Sequence, residues 1–168
     1  PNLYRIQQES LDFTQSFTPL YLDAGTFNTE MIVNTGLVSP FTGSTSSMYS
    51  RNEYPDTLAR LLTAEGYTAN SFHRSSGAVY NRAEVHENWG YAHYYSGTEM
   101  EIPSEEMDFD SALMEAYDIM TAQPPFLNLV ITYSGHGPYQ DSPVSARYFD
   151  YAAQRLPDVI FGALAEVA

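Results

Sequence analysis

Ionisable side chains follow three short runs that are predicted to be β-strands, at the points where these strands would end. Each run has the length and residue types of a strand, and a glutamate or a histidine comes directly or shortly after it. Ligands of open α/β sheets collect at the carboxyl ends of the strands, so binding or catalytic chemistry is expected at this shared edge. The pairs are Leu3–Gln7 with Glu9, Tyr67–Phe72 with His73, and Phe126–Thr132 with His136.

A hydroxyl group stands where a helix is expected to begin. In the segment GTFNTE, Thr26 is predicted to cap a helix whose first turn holds Thr29 and Glu30. Capping is the common role of threonine at such a position. A hydroxyl is a poor nucleophile at its own pKa, so a catalytic role would need a metal ion and the positive end of the helix dipole.

The segments between the three predicted strands carry helix and loop signals. A leucine stripe marks one helix, and paired prolines end another. Ser39–Asn52 is rich in Ser, Thr and Gly without periodicity, which predicts a loop. The predicted helices are Tyr54–Glu65 with the stripe Leu58, Leu61 and Leu62, Ala83–Trp89 closed by Gly90, Ser104–Thr121, and Tyr148–Ala168 with a break at Pro157.

Strands that alternate with helices predict an α/β fold with a largely parallel sheet. The 168 residues suit one domain, and a chain of this length can bury a sizeable core. With 14 Tyr and 9 Phe, the chain is expected to be ordered. No repeat or domain boundary is visible, which favours a single domain over residues 1–168.

The chain is strongly acidic, and its charge excludes some partners. Seven Arg, no Lys and 21 acidic residues give a formal net charge of −14, which would repel a nucleic acid. The same charge suits a surface domain that gathers divalent cations. Cysteine is absent, so a disulfide framework and a thiolate nucleophile are both excluded.

No apolar run approaches the ~20 residues that a membrane span needs, and no signal peptide precedes Pro1. We therefore expect the chain as given to be either cytosolic or already trimmed. The absence of cysteine permits export of the protein but does not indicate it.

Three segments, taken in order, resemble the lipoteichoic acid synthase family and related phosphoglycerol transferases of the sulfatase and alkaline phosphatase superfamily. They are PNLYRIQQES, then AGTFNTEMIVNTG, then the block from EGYTANSFHRSSGAVYNRAEVHENWGY to FLNLVITYSGHGPY. Together they cover nearly the whole chain. The resemblance implies a three-layer α/β/α fold of alkaline phosphatase type, with residues 1–168 as the N-terminal, incomplete part of the catalytic domain.

The resemblance implies a nucleophile and a metal site. Glu9 matches the acidic metal ligand that follows the family's first strand, and Thr26 matches its nucleophile, which also binds the metal. Thr29 fits the family's second hydroxyl position. A carboxylate and an activated hydroxyl suit Mn²⁺ or Mg²⁺.

The resemblance also implies contacts to a glycerol phosphate head group. Arg82 would take phosphate oxygens in a bidentate fork, His73 would donate to them, and Tyr80 would pack on the glycerol carbons. His136 matches a family histidine that contacts the phosphoryl group. This sequence departs from the family at two positions that bear on the head group. The family commonly has Trp where this chain has Tyr80, and often an acidic residue where it has Ser75.

Other positions do not match the family's site. His86 and His93 fit no motif and are expected at the surface. The family completes its metal site with a downstream Asp-His pair, which this sequence does not contain, so the piece as given is expected to be inactive. The stretch between Glu9 and Thr26 is also shorter than the family's.

The expected function is a metal-dependent transfer of phosphoglycerol from a phosphatidylglycerol-type lipid, through a covalent Thr26 intermediate, to an envelope polymer or glycan. In the family the catalytic domain is attached to transmembrane helices and lies at the extracellular or periplasmic face of the membrane. A sulfatase or phosphoethanolamine transferase is an alternative, although no Cys/Ser-x-Pro-x-Arg motif lies near Thr26. A further alternative is a non-catalytic scaffold or binding domain.

Overall fold

The computed structural model describes residues 2–15, 25–38, 45–136, 143–144 and 146–147. Helices and strands alternate along much of this part of the chain. In order, they are α1 (Asn2–Gln8), α2 (Gly25–Thr35), α3 (Thr45–Met48), α4 (Leu58–Ala64), β1 (Thr68–His73), a 3₁₀ turn (Val79–Asn81), α5 (Arg82–Asn88), β2 (His93–Ser96), α6 (Asp110–Met114), α7 (Tyr117–Thr121) and β3 (Phe126–Ile131).

The described strands form one parallel sheet in which β1 lies between β2 and β3. His73, at the end of β1, pairs with Ser96 on one side and with Ile131 on the other. The carboxyl ends of all three strands therefore coincide. The predicted α/β class, the parallel sheet, and the strands ending near His73 and Ile131 are confirmed.

Helices pack on both faces of this sheet, which makes it the middle layer of three. Successive side chains of a strand point to opposite faces, and Ala69 and Phe72 of β1 belong to separate apolar clusters. One cluster contains Phe27, Met31, Tyr54, Ala59, Ala69, Val85, Trp89 and Tyr91. The other contains Phe72, Ile102, Ala112, Leu113, Ala116 and Met120.

The first predicted strand is wrong. Leu3–Gln7 lies inside helix α1, and its Tyr4 and Ile6 are exposed. A run of five residues is too short for periodicity to separate a strand from a helix. Glu9 consequently follows a helix. Strand β2 has only four residues and was not predicted from the sequence.

Two predicted helices differ from the structure in their details. Helix α4 is shorter than Tyr54–Glu65, and the stripe is wrong because Leu58 and Leu61 are 39% and 56% exposed whereas Ala59 is buried. The predicted helix Ser104–Thr121 is two short helices, α6 and α7. Burial continues with helical spacing across the break, so periodicity could not reveal it.

Helix α5 matches its prediction, whereas the predicted loop and the C-terminal helix are described only in part or not at all. The helix predicted at Ala83–Trp89 is confirmed as α5, and its closing Gly90 has a φ of +98°, a conformation that glycine adopts without strain. In the predicted loop Ser39–Asn52, residues 45–48 form helix α3, and residues 39–44 lie outside the described part. Tyr148–Ala168 also lies outside it.

Thr57 connects helix α4 to the end of α5. Its side chain is fully buried, accepts a hydrogen bond from the Arg60 amide at 3.2 Å, and donates one to the Trp89 carbonyl. The hydroxyl thus serves as the N-cap of α4 and as a contact between two helices.

We predict that Thr57→Ala lowers the free energy of unfolding by about 2 kcal/mol, because it removes the cap and leaves the Trp89 carbonyl without this donor. Urea unfolding followed by tryptophan fluorescence measures the change. Thr63→Ala, an exposed threonine in the same helix, is the matched control. An equal, small effect of both substitutions would contradict the assignment.

Candidate active site

Helix α2 presents the predicted nucleophile near its N-terminus. It begins at Gly25, so Thr26 is the second residue of the helix rather than the residue before it. The Thr26 side chain is exposed, whereas Thr29 is half-buried and donates to the Gly25 carbonyl at 3.2 Å. Thr26 is therefore the more accessible of the two hydroxyl groups, in the turn where amide groups favour an approaching anion.

A buried ion pair joins α2 to α5. Arg82 Nη2 donates to Glu30 Oε1 at 2.7 Å, and Arg82 Nε donates to Oε2 at 3.0 Å. The two residues are 2% and 6% exposed. The guanidinium fork that was predicted to bind phosphate is thus occupied by Glu30, and only the Nη1 group of Arg82 takes no part in this pair.

His86 extends this pair toward the sheet, so its predicted surface position is wrong. Its ring is fully buried, with Nε2 at 3.3 Å from Glu30 Oε2 and Nδ1 at 2.8 Å from Ser71 Oγ. His93, by contrast, is exposed as predicted. A signal for His86 existed in the sequence: the buried residues of α5 and its end follow one helical stripe, at Arg82, Val85, His86 and Trp89.

The environment of Glu30 keeps its carboxylate charged. Burial by itself raises the pKa of this group, but hydrogen bonds from His86 and Arg82, together with the positive charge of Arg82, outweigh burial. The pKa of Glu30 therefore lies below its ordinary value of 4.5. A group with a lowered folded-state pKa stabilises the fold above its unfolded pKa and loses that contribution as the pH falls through the folded value.

We predict that Glu30→Gln lowers the free energy of unfolding at pH 7 by about 3–5 kcal/mol, because the charge of Arg82 stays buried without its partner. Below pH 4.5 the deficit shrinks, because the wild-type carboxyl group is protonated first in the unfolded chain and, as the pH falls through the lowered pKa, in the folded protein as well. Urea midpoints between pH 7 and pH 3 measure both effects. Glu84→Gln, which breaks the exposed pair with Arg51, should leave the midpoints nearly unchanged.

His73 lies at the end of β1, on the same face of the sheet as Ser71. It is 4% exposed, and its Nδ1 lies 2.8 Å from the Ile131 carbonyl oxygen. A carbonyl only accepts, so Nδ1 carries the proton. Burial, the largest cause, lowers the pKa of His73 below 6.5, and the ring is neutral at pH 7 with its lone pair on Nε2.

Tyr80 lies on the exposed side of the buried pair. Its ring centroid is 5.0 Å from the Arg82 guanidinium carbon and 6.2 Å from the Phe27 ring. Tyr80 and Asn81 have φ angles of 56° and 53°. Two successive non-glycine residues in the left-handed region are uncommon, and such strained backbone concentrates at functional sites.

The loop after β3 carries His136, which is exposed and stacks on Tyr133 at 4.8 Å between ring centroids. The Arg74 guanidinium carbon is 3.3 Å from the Tyr133 centroid, and Arg74 also pairs with Asp108. A sequence of contacts from Asp108 through Arg74 and Tyr133 to His136 thereby orients this loop.

Asp110 holds the same loop from the start of α6. Its carboxylate accepts the Tyr133 amide at 2.7 Å, the Ser134 amide at 3.1 Å and the Ser134 hydroxyl. Burial raises the pKa of Asp110, but these hydrogen bonds outweigh it and the pKa lies below 3.8. The carboxylate is therefore charged at neutral pH, when its hydrogen bonds are strongest.

We predict that Asp110→Asn makes hydrogen exchange at the Tyr133 and Ser134 amides roughly tenfold faster, because a neutral amide oxygen is a weaker acceptor. Exchange measured by mass spectrometry or NMR at pH 7 tests this. Asp118→Asn, on the exposed side of α7, is the control. Unchanged protection in Asp110→Asn would show that the loop is held by other contacts.

The described residues do not by themselves complete a divalent metal site. Glu9 is exposed after α1, and its side chain has no hydrogen bond or ion pair with another described residue. Within the described ranges, no group of three or more His, Asp or Glu could hold a metal ion. Glu9 and Thr26 are two ligand residues with at most three oxygen donors between them, fewer than a hard cation needs.

The candidate residues thus fall into two sets. The structure brings His73, Tyr80 and Arg82 to one region beside α2, because contacts join Arg82 to both Glu30 and Tyr80, and His73 experiences the charges of Arg82 and Glu30. It does not connect Glu9 with them. No helix in the described ranges is long and apolar enough to cross a membrane.

A protein-family model described as Sulfatase matches residues 1–166. A putative cyclic beta-1,2-glucan modification protein of Rhizobium meliloti is 28% identical over 122 residues, which are 68% of this chain and 19% of that protein. A lipoteichoic acid synthase of Staphylococcus saprophyticus is 25% identical over 127 residues, 72% of this chain and 20% of the synthase. The chain therefore spans about a fifth of the length of these relatives.

The fold also matches a solved structure. The crystal structure of the lipoteichoic acid synthase LtaP from Listeria monocytogenes superimposes with a TM-score of 0.56 at 22% identity. The match covers 82% of this chain and 39% of the LtaP chain. At this identity the likeness establishes the α/β fold alone.

Proposed function

The chain belongs to the sulfatase family, and from that premise we propose that it supplies the nucleophile and the head-group contacts of a metal-dependent phosphoglycerol transferase. The donor is a phosphatidylglycerol-type lipid. The acceptor is a hydroxyl group of a cell-envelope polymer or glycan. The reaction takes place at the extracellular or periplasmic face of the membrane.

One observation supports this proposal most directly. Helix α2 carries exposed Thr26 and, one turn later, Glu30, which pairs with Arg82 of the predicted head-group segment. Phe27, beside Thr26, also contacts Tyr80 of that segment. The two segments singled out for different parts of one reaction are therefore in contact, although about 50 residues separate them.

The proposed reaction proceeds by two displacements. Thr26 Oγ attacks the phosphorus of the lipid, the bond from phosphorus to the diacylglycerol oxygen breaks, and diacylglycerol leaves with the proton that the threonine hydroxyl lost. The phosphoglycerol group is then esterified to Thr26. An acceptor hydroxyl attacks the same phosphorus, the bond to Thr26 Oγ breaks, and the acceptor's proton returns to Thr26.

The surrounding residues suit the recognition of a glycerol phosphate. The Nη1 group of Arg82, which Glu30 leaves unused, donates to a phosphate oxygen. Neutral His73 has a lone pair at Nε2, so it accepts from a glycerol hydroxyl rather than donating to phosphate. Tyr80 packs on the glycerol carbons, and His136 contacts the phosphoryl group from the loop after β3.

A divalent cation, Mn²⁺ or Mg²⁺, is part of the proposal, with Glu9 and Thr26 as two of its oxygen ligands. Such an ion lowers the pKa of a bound hydroxyl and makes it nucleophilic at neutral pH. Because these residues alone do not complete a site, further ligands must come from outside the described residues.

The names of the relatives suggest different acceptors. One is named for the modification of a cyclic glucan and the other for the synthesis of lipoteichoic acid. A glucan carries hydroxyl groups that could accept a phosphoglycerol group, so the proposed acceptor class is a hydroxyl-bearing polymer or glycan. A sulfatase or phosphoethanolamine transferase differs in the group that is transferred, and a scaffold domain would transfer none.

We predict that the full gene product releases diacylglycerol from a fluorescent phosphatidylglycerol, and that Thr26→Ala reduces this release to background because the attacking oxygen is lost. Chelation with EDTA should abolish release, and added Mn²⁺ or Mg²⁺ should restore it. Mass spectrometry of a trapped intermediate should place a phosphoglycerol adduct on the peptide that contains Thr26.

Two comparisons complete this experiment. Thr29→Ala tests the neighbouring hydroxyl, and undiminished release in Thr26→Ala together with its loss in Thr29→Ala would transfer the nucleophile role to Thr29. Phosphatidylethanolamine and an aryl sulfate distinguish the other two activities of the superfamily. Absence of turnover with all three substrates would favour the scaffold alternative.

A further inference from the structure

Arg82 reaches its position through a chain of buried polar contacts. Glu30 accepts hydrogen bonds from Nε and Nη2 of the Arg82 guanidinium, and His86 Nε2 contacts Oε2 of the same carboxylate. His86 is in turn fixed by Ser71 of β1. All four side chains are at most 6% exposed, so water cannot replace any of these contacts cheaply.

The hydrogen-bond role of the His86 ring follows from its neighbours. The Ser71 hydroxyl lies 2.8 Å from His86 Nδ1. Its other hydrogen-bond partner, the His93 carbonyl oxygen, is farther away at 3.5 Å. A carboxylate only accepts, so Nε2 carries a proton and donates to Glu30, while Nδ1 and the Ser71 hydroxyl share the second hydrogen bond. In that arrangement each polar group of the chain from β1 to Arg82 has a partner of the correct type.

Glu30 also relates Arg82 to the predicted nucleophile. Residues four apart share one face of a helix and are separated by about 6 Å along its axis. Glu30 is four residues after Thr26 in α2, so the carboxylate that holds Arg82 belongs to the same rigid helix as the hydroxyl. Glu30 thereby determines where the free Nη1 group lies with respect to Thr26.

We propose that Glu30 and His86 are positioning residues for the proposed phosphoglycerol transfer: Glu30, oriented by His86 and Ser71, sets the guanidinium of Arg82 at a fixed distance from Thr26. This inference rests on the proposed function, because it requires Arg82 to contact the phosphate. Neither positioning residue touches the substrate. Their effect passes entirely through Arg82.

A double-mutant cycle tests this inference. The full gene product is prepared as Glu30→Gln, as Arg82→Gln and as the double variant, and kcat/KM for fluorescent phosphatidylglycerol is measured for each. We expect each single substitution to reduce kcat/KM by roughly 10- to 100-fold, since a misplaced contact group has this effect. We expect the double variant to be no worse than Arg82→Gln alone, because Glu30 has no role once Arg82 is lost.

Stability must be separated from positioning in this test. Glu30→Asp keeps the charge but shortens the side chain. If Glu30→Gln does not fold, Glu30→Asp replaces it in the cycle, and Arg82→Gln is used as before. Glu30→Asp should be more stable than Glu30→Gln, because Arg82 keeps a charged partner, and it should still lose kcat/KM. Glu84→Gln, which breaks an exposed ion pair of α5, is the matched control and should retain full kcat/KM.

The ¹⁵N spectrum gives a second readout that does not depend on turnover. The Nε2 of His86 should carry a proton that is hydrogen-bonded to Glu30, and the Arg82 Nε–H should exchange slowly. In Glu30→Asp the Arg82 resonance should shift and exchange faster. An Nε2 of His86 without a proton, or an Arg82 resonance that is unchanged in Glu30→Asp, would overturn the positioning chain.

The outcomes separate the two proposals. If Arg82→Gln retains full kcat/KM, Arg82 does not contact the substrate, and the head-group role fails together with the inference. If Arg82→Gln is impaired but Glu30→Asp is not, or the two losses multiply in the double variant, the inference alone is overturned.

Discussion

Two opposite charges that have been removed from water constrain the arrangement of this fold. Glu30 and Arg82 are nearly inaccessible to solvent, and either charge without the other would be strongly unfavourable. Their elements, α2 and α5, must therefore meet in one relative position. Through His86 and Ser71 the same requirement extends to β1, so the helix layer, the sheet and the candidate site share one set of polar contacts.

Part of this fold was predictable from the sequence, for identifiable physical reasons. Phe126–Ile131 is a mainly apolar run of strand length, and the strand that ends at His73 begins soon after Gly66, which closes the preceding helix. Helices α2 and α5 have recognisable start or stop residues. Short elements were not predictable. β2 has four residues, α1 fits either periodicity, and α6 and α7 continue one pattern of burial across a break.

The site was predictable at the level of segments and not of contacts. The carboxyl ends of parallel strands collect polar residues, so the place of His73 followed from local pattern alone. The ion pair of Glu30 and Arg82 depends on the packing of three elements that are far apart in sequence. Because of this ion pair, Arg82 cannot offer the bidentate phosphate contact that was predicted, and only its Nη1 group takes no part in the pair.

The aligned ends of the three strands bear on how this protein can be altered. Adding one residue within β1 would turn Ser71 and His73 to the opposite face of the sheet, since successive side chains alternate. Adding residues after the strand ends would leave that alternation intact. Variation in length among related proteins, and insertions made by an engineer, should therefore be tolerated in the loops that follow the strands and rejected inside them.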